Sequence, residues 1–242
     1  MFIKPLIKEK GILHFTLIDP DKQSHHIAAE MAAKAESFGS DGIMIGGSTA
    51  DFDEIDKATL AIKAKCQLPI ILFPSGATGI SKHADYIFWM MLLNTFNRKF
   101  LVGEQMKAAP FIQKSEIKTI PMGYIVVSTS TIPTTVEQVG DIDKILAEDL
   151  DKTIAYALTA QYFGMECVYL EAGSGADKPV SSMMISAVKA ALKIPLIVGG
   201  GINTAKVAKE AVSAGADVIV TGTIAEKNIE KLGKIIAAVK EN

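Results

Sequence analysis

Two adjoining stretches set the fold. The first is Ile194-Pro195-Leu196-Ile197-Val198-Gly199-Gly200-Gly201-Ile202-Asn203-Thr204. After Val207, Ala211 and Ala214 at helical spacing comes the second, Gly215-Ala216-Asp217-Val218-Ile219-Val220-Thr221-Gly222-Thr223-Ile224. Each apolar run is short and β-branched, has apolar residues on consecutive positions, and ends in glycine. Such a run suits a strand buried on both faces of a parallel sheet, and the intervening helical period completes a β-loop-α-β unit. Six further runs of this kind lie upstream, at Ile12–Ile18, Gly42–Gly46, Pro69–Phe73, Tyr86–Met90, Ile120–Val127 and Cys167–Glu171. Helix-period faces fall between most of them: Ile27, Met31, Ala35 and Phe38; Ile55, Ala58 and Ile62; Ile154, Leu158 and Tyr162. Eight strands alternating with helices predict a (β/α)8 barrel in a single domain over residues 1–242, with a doubly wound open sheet as the weaker option.

Two intervals break the rhythm. Only twelve residues, PSGATGISKHAD, separate Phe73 from Tyr86, and a crossover with a full helix needs about that many or more. The barrel is therefore expected to lack a regular third helix. Residues 129–149, TSTIPTTVEQVGDIDKILAED, form a long polar stretch after the fifth strand, on the face that carries chemistry in such barrels, and suit a lid or a substrate-facing loop.

The composition excludes several function classes. The chain has 25 Lys and Arg residues against 27 Asp and Glu, and Arg98 is its only arginine. It lacks the basic excess and guanidinium forks of nucleic-acid binders, so a bound phosphate must rest on backbone amides, lysines or a metal. Cys66 and Cys167 adjoin or occupy apolar runs and read as thiols of a reducing, cytoplasmic compartment. The longest apolar run, Tyr86 to Leu93, is far short of the roughly 18–20 residues that span a bilayer.

Barrel enzymes place catalytic groups at strand C-termini and commonly seat a phosphate on the loops after strands seven and eight. Gly199 to Gly201, and Gly222-Thr223 before a helix, stand at those two loops, where bare backbone amides can meet an anion; the plainer alternative is tight βα turns. The sixth strand ends Tyr169-Leu170-Glu171-Ala172-Gly173-Ser174-Gly175. Glu171 there can point into the barrel mouth and take a proton, or serve as a structural carboxylate. Asp19-Pro20-Asp21 closes the first strand and suits Mg²⁺, or equally a turn with either Asp as a cap. Ser48 brings a hydroxyl to the end of the second strand. His14 lies mid-strand, inside the barrel or under a helix. The apolar segment 86–93 comes just after the missing helix, where a hydrophobic groove can open.

Assembled, these segments resemble the geranylgeranylglyceryl phosphate synthase family, related to bacterial heptaprenylglyceryl phosphate synthases. The resemblance runs nearly end to end, through LIDPD (17–21), IGGST (45–49), FPSGATGIS (73–81), IPMGYIVV (120–127), YLEAGSGA (169–176), VGGGI (198–202) and GADVIVTGT (215–223). It implies a modified TIM barrel without the third helix. It also implies a magnesium-dependent prenyltransferase joining sn-glycerol 1-phosphate to geranylgeranyl diphosphate in archaeal-type membrane lipid synthesis. By the same resemblance Asp19 and Ser48 match metal ligands. Tyr169, Leu170, Glu171, Ala172, Gly173, Ser174 and Gly175 match the glycerol-phosphate segment. Gly200, Gly201, Gly222 and Thr223 complete the phosphate cup, with Glu171 as the base and Tyr169 beside it. A homo-oligomer, dimer or hexamer, with at most peripheral membrane contact, is the family expectation. The competing readings are a prenylglyceryl phosphate synthase of another chain length, a sugar-phosphate isomerase or aldolase, and a non-catalytic phospholigand barrel. Against an aldolase, no buried strand carries an obvious lysine at its C-terminal end; against the binder, both Glu171 and Asp19 are present.

Overall fold

A computed structural model describes residues 1–46 and 52–241. The strands are β1 (Leu13–Ile18), β2 (Gly42–Ile45), β3 (Ile70–Leu72), β4 (Tyr86–Leu92), β5 (Lys118–Val126), β6 (Cys167–Glu171), β7 (Leu196–Gly199) and β8 (Val218–Thr221). All pair in parallel and in chain order, and β8 closes on β1. The (β/α)8 expectation therefore holds and the open sheet is set aside. Crossover helices are α2 (His25–Ser37), α3 (Phe52–Lys65), α4 (Glu104–Lys114), α6 (Leu150–Tyr162), α7 (Ser182–Ala191) and α8 (Ala205–Ser213); α9 (Thr223–Lys227) and α10 (Ile229–Lys240) come after β8.

Strand alternation divides the core in two. Leu13, Phe15, Met44, Phe88, Cys167 and Ile197 point inward and fill the barrel, whereas Ile18, Ile43, Val168, Leu170 and Ile219 face the helices. That packing explains why the strands read as continuous apolar runs. His14 points outward and is fully buried under the helices. Its Nδ1 lies 3.1 Å from Ser40 Oγ and its Nε2 2.9 Å from Thr221 Oγ1. Burial, with Lys240 nearby, pushes its pKa down to about 3, so the ring is neutral.

Residues 73–85 contain no helix, as the short interval requires. The long loop after β5 is not a uniform coil: it carries α5 (Thr135–Gly140). Another addition is α1 (Ile3–Lys10), which closes the bottom of the barrel. Ile3 there is fully buried, Phe2 stacks on Tyr86 at 4.0 Å, and the Ile3 N–H donates to Glu166 Oε1 at 2.7 Å.

One helix face differs from its reading. On α6 the buried residues are Thr153, Ala157 and Ala160, while Tyr162 is exposed and Ile154 and Leu158 are half-buried. Close approach is the reason: a side chain at Gly123 of β5 would stand 2.5 Å from the Ala160 Cβ, so only small residues fit that contact. On α2, Ile27 at the first turn is likewise exposed although Met31 and Ala35 are buried.

Candidate active site

The C-terminal ends of β6, β7 and β8 bring three glycine-containing loops together. Inward alternation on β6 sets Cys167, Tyr169 and Glu171 on the barrel side, with Glu171 uppermost. Glu171 is 7% exposed, and its carboxylate accepts from the Gly173 N–H at 2.6 Å and from the Tyr169 hydroxyl. Burial raises the Glu171 pKa, and these two hydrogen bonds pull back against that rise without cancelling it. Burial, reinforced by the Glu171 charge, pushes the hydroxyls of Tyr169 and Tyr124 well above the usual phenol range, so both stay protonated donors. Phe73 stacks on Tyr169 and meets Phe88 and Tyr124 edge to face, as Tyr124 meets Tyr169, with centroids 5.4–6.1 Å apart in the upper barrel.

The glycines at and just after the end of β7 make this packing possible. A Cβ on Gly199 would sit 2.1 Å from the Tyr169 hydroxyl, and one on Gly200 would sit 2.4 Å from Glu171 Oε1. Gly200 and Gly201 also take positive φ, +80° and +69°, as do Gly173 and Gly175 at +99° and +72°. Across this cup, Ser174 Oγ lies 3.2 Å from Thr223 Oγ1, linking the β6 and β8 loops beside Gly222. Leu170 and Ala172 sit next to the cup in sequence, but both side chains are buried in the helix-facing core, so only their main chain is available there.

Asp19 caps the 3-10 turn Pro20–Lys22 at the end of β1. It accepts from the Asp21 N–H at 3.3 Å and pairs with Lys22 at 3.2 Å, and Lys22 also reaches Glu226 of α9 at 3.2 Å. Asp19 thus caps this turn and holds a carboxylate at the mouth. Ser48 falls outside the described residues. Among the described residues no group of three or more His, Cys, Asp or Glu could hold a metal alone. A lone carboxylate fits the chemistry of Mg²⁺, which commonly takes one or two protein oxygens and completes its shell with water and substrate phosphate.

An apolar groove opens where the third helix is absent. It encloses about 880 Å³ including its open mouth and is lined by Pro74, Ala77, Trp89, Phe100, Tyr124 and Val136, among others. The segment around Trp89 signalled it in sequence. The contribution of α5, through Val136 and Val139, carried no signal beyond loop length. Neither did the π-turn Lys99–Gly103 ahead of α4.

The start of the loop after β5 is fastened to the loop after β6. Thr129 Oγ1 donates to Lys178 O at 2.7 Å, the Thr131 N–H to Asp177 Oδ2 at 3.1 Å, and the Asp177 N–H to Ser130 Oγ at 2.9 Å. No described helix is long and apolar enough to cross a membrane.

Known proteins share both sequence and architecture with this chain. The geranylgeranylglyceryl phosphate synthase of Thermococcus kodakarensis is 48% identical over 226 residues, covering 92% of this chain and 88% of its own. That of Pyrococcus horikoshii is 46% identical over 235 residues, covering 96% and 91%. The crystal structure of (S)-3-O-geranylgeranylglyceryl phosphate synthase from Thermoplasma acidophilum, in complex with sn-glycerol-1-phosphate, superposes with a TM-score of 0.94 at 42% identity. It covers 100% of this chain and 99% of that one. With the family model matching residues 4–241, the chain belongs to the PcrB family.

Proposed function

We propose that this prenyltransferase joins sn-glycerol 1-phosphate to geranylgeranyl diphosphate through an ether bond and releases diphosphate, in archaeal-type membrane lipid synthesis. The observation that carries the reading is a buried, raised-pKa carboxylate, Glu171, set between a glycine-built anion cup and an open apolar groove. A polar phosphate and a long hydrocarbon thus have separate seats on either side of one base. The relatives' names and the ligand of the Thermoplasma acidophilum structure support the same pair of substrates.

The phosphate of glycerol 1-phosphate rests on the loops containing Gly173 to Gly175, Gly200, Gly201, Gly222 and Thr223, where positive-φ glycines let amides approach an anion. Its free hydroxyl is thereby aimed at Glu171. The prenyl chain lies in the groove with its C1 at the barrel mouth. The C1–oxygen bond to diphosphate breaks as the glycerol oxygen bonds to C1. The hydroxyl proton passes to Glu171, whose raised pKa makes it a better acceptor than an ordinary carboxylate. Fixing two substrates in one geometry supplies much of the acceleration. Asp19, with Ser48, would hold Mg²⁺, which when bound neutralises charge on the departing diphosphate.

The test is incubation with radiolabelled glycerol 1-phosphate and prenyl diphosphates of several lengths, with organic extraction of the product. Label should become extractable with the geranylgeranyl donor. Label that stays aqueous with every donor overturns the reading, and extraction only with a longer donor corrects the chain length.

A further inference from the structure

The Gly173 N–H that donates to Glu171 comes from a loop residue with φ +99°, and its backbone is covered from outside β6. The cover is Thr134, from the loop after β5. A Cβ on Gly173 would meet Thr134 Cγ2 at 2.5 Å, Oγ1 at 2.6 Å and Cβ at 2.7 Å, so the threonine side chain is seated directly on the glycine. Thr134 is itself clamped. Its N–H and its hydroxyl both donate to Glu137 Oε2, at 2.7 and 2.8 Å, and both residues are buried. Burial opposes ionisation of Glu137. The nearby Ser128 hydroxyl, the two Thr134 donors and Lys144 outweigh it and hold that carboxyl below the usual range. Glu137 is therefore a fixed anion that grips Thr134 as its partner in the capping box at the start of α5, where Thr134 is the N-cap and Glu137 the third helical residue.

We infer that Thr134, gripped by Glu137, is a positioning residue for the reaction: by pressing on Gly173 it holds the Gly173 N–H on Glu171 and keeps water out of that bond. This deepens the function proposed above and rests on it, because the consequence for turnover requires Glu171 to be the base. The packing consequence does not. A glycine with nothing above it samples much of backbone space, and a donor that wanders by an ångström no longer fixes the carboxylate.

The experiment compares Thr134→Ala, Thr134→Ser and Thr134→Val. Valine keeps the shape over Gly173 and gives up the hydroxyl; serine keeps the hydroxyl and removes the methyl closest to Gly173. Steady-state kinetics are read beside amide hydrogen exchange at Gly173. Thr134→Ala should lower kcat about tenfold with the KM for glycerol 1-phosphate within about twofold, and Gly173 should exchange faster. Thr134→Val should restore both towards the parent, and Thr134→Ser should fall between.

Parent-like exchange and kcat in Thr134→Ala overturn the inference, as does a valine variant no better than alanine or a loss confined to KM. Should the alanine variant not fold, the serine–valine comparison decides by the same criteria. Glu171→Gln is assayed in parallel. If it turns over like the parent, the base assignment fails, while Gly173 exchange still reports whether Thr134 holds the glycine.

Discussion

Glu171 is costly to the fold in the state that the proposed chemistry requires. Its folded-state pKa is raised, chiefly by burial, so the ionised carboxylate destabilises the protein above that pKa. The destabilisation is relieved as pH falls through the folded value towards the ordinary value near 4.3. Glu171→Gln keeps an oxygen for the Gly173 and Tyr169 donors and removes the charge. Its unfolding midpoint at neutral pH should rise while kcat drops about 10²- to 10⁴-fold. Turnover of the parent should fall on acidification at a pH above that of an unperturbed carboxylate. Calorimetry and a pH–rate profile check the two halves. At Gly200, both the positive φ and the 2.4 Å approach to Glu171 forbid a side chain. Gly200→Ala should cost about 1–3 kcal/mol in denaturant unfolding and lower turnover with it.

At the scale of elements, the sequence was most legible where burial is two-sided. β2 and β7 are apolar at every buried position and β8 at all but Thr221, so no alternation was needed to find them, and the twelve-residue interval after Phe73 betrayed the absent helix. The cup could be located as well, because Tyr169-Leu170-Glu171 and the glycine runs stand at strand ends. Two elements were opaque for physical reasons. In α6 the inward face is Thr153, Ala157 and Ala160, since Gly123 draws the helix close, so the largest apolar residues are not the buried ones. In α1, IKPLIKEK carries Pro5 and four charges, and it is ordered by tertiary contacts that no local pattern encodes. Its anchor gives a prediction. Glu166→Ala would strip the buried acceptor from the Ile3 N–H and should lower the unfolding free energy by about 1–3 kcal/mol. Turnover at room temperature should change little, because Glu166 lies at the barrel's opposite end.

For the whole molecule, the barrel closes through its own hydrogen-bond ladder from β1 round to β8, and its inner and outer cores are apolar. Integrity of the fold and supply of the proposed Mg²⁺ are then expected to be separable. A chelator should abolish turnover and leave the thermal unfolding midpoint in place, with activity returning on adding Mg²⁺. Asp19→Ala should shift the magnesium titration steeply upward. An unchanged titration would remove Asp19 from the metal site, and a lowered midpoint on chelation would show a structural ion. The single arginine acquires its meaning at this scale too. The cup is built from backbone and hydroxyls, so the phosphate recognition proposed for it would be a property of loop shape more than of side-chain charge.

The absent third helix has one more consequence. The groove it leaves is lined from residues 74–140, whereas the cup is drawn from residues 169–223. Under the proposed function, head and tail recognition would thus be written in consecutive, non-overlapping lengths of chain, met by Tyr124 and Tyr169 at their shared border. Such a layout would be modular except at one point: under the proposed function the groove could be retailored for a longer or shorter hydrocarbon so long as Thr134, which reaches across to Gly173, is left in place.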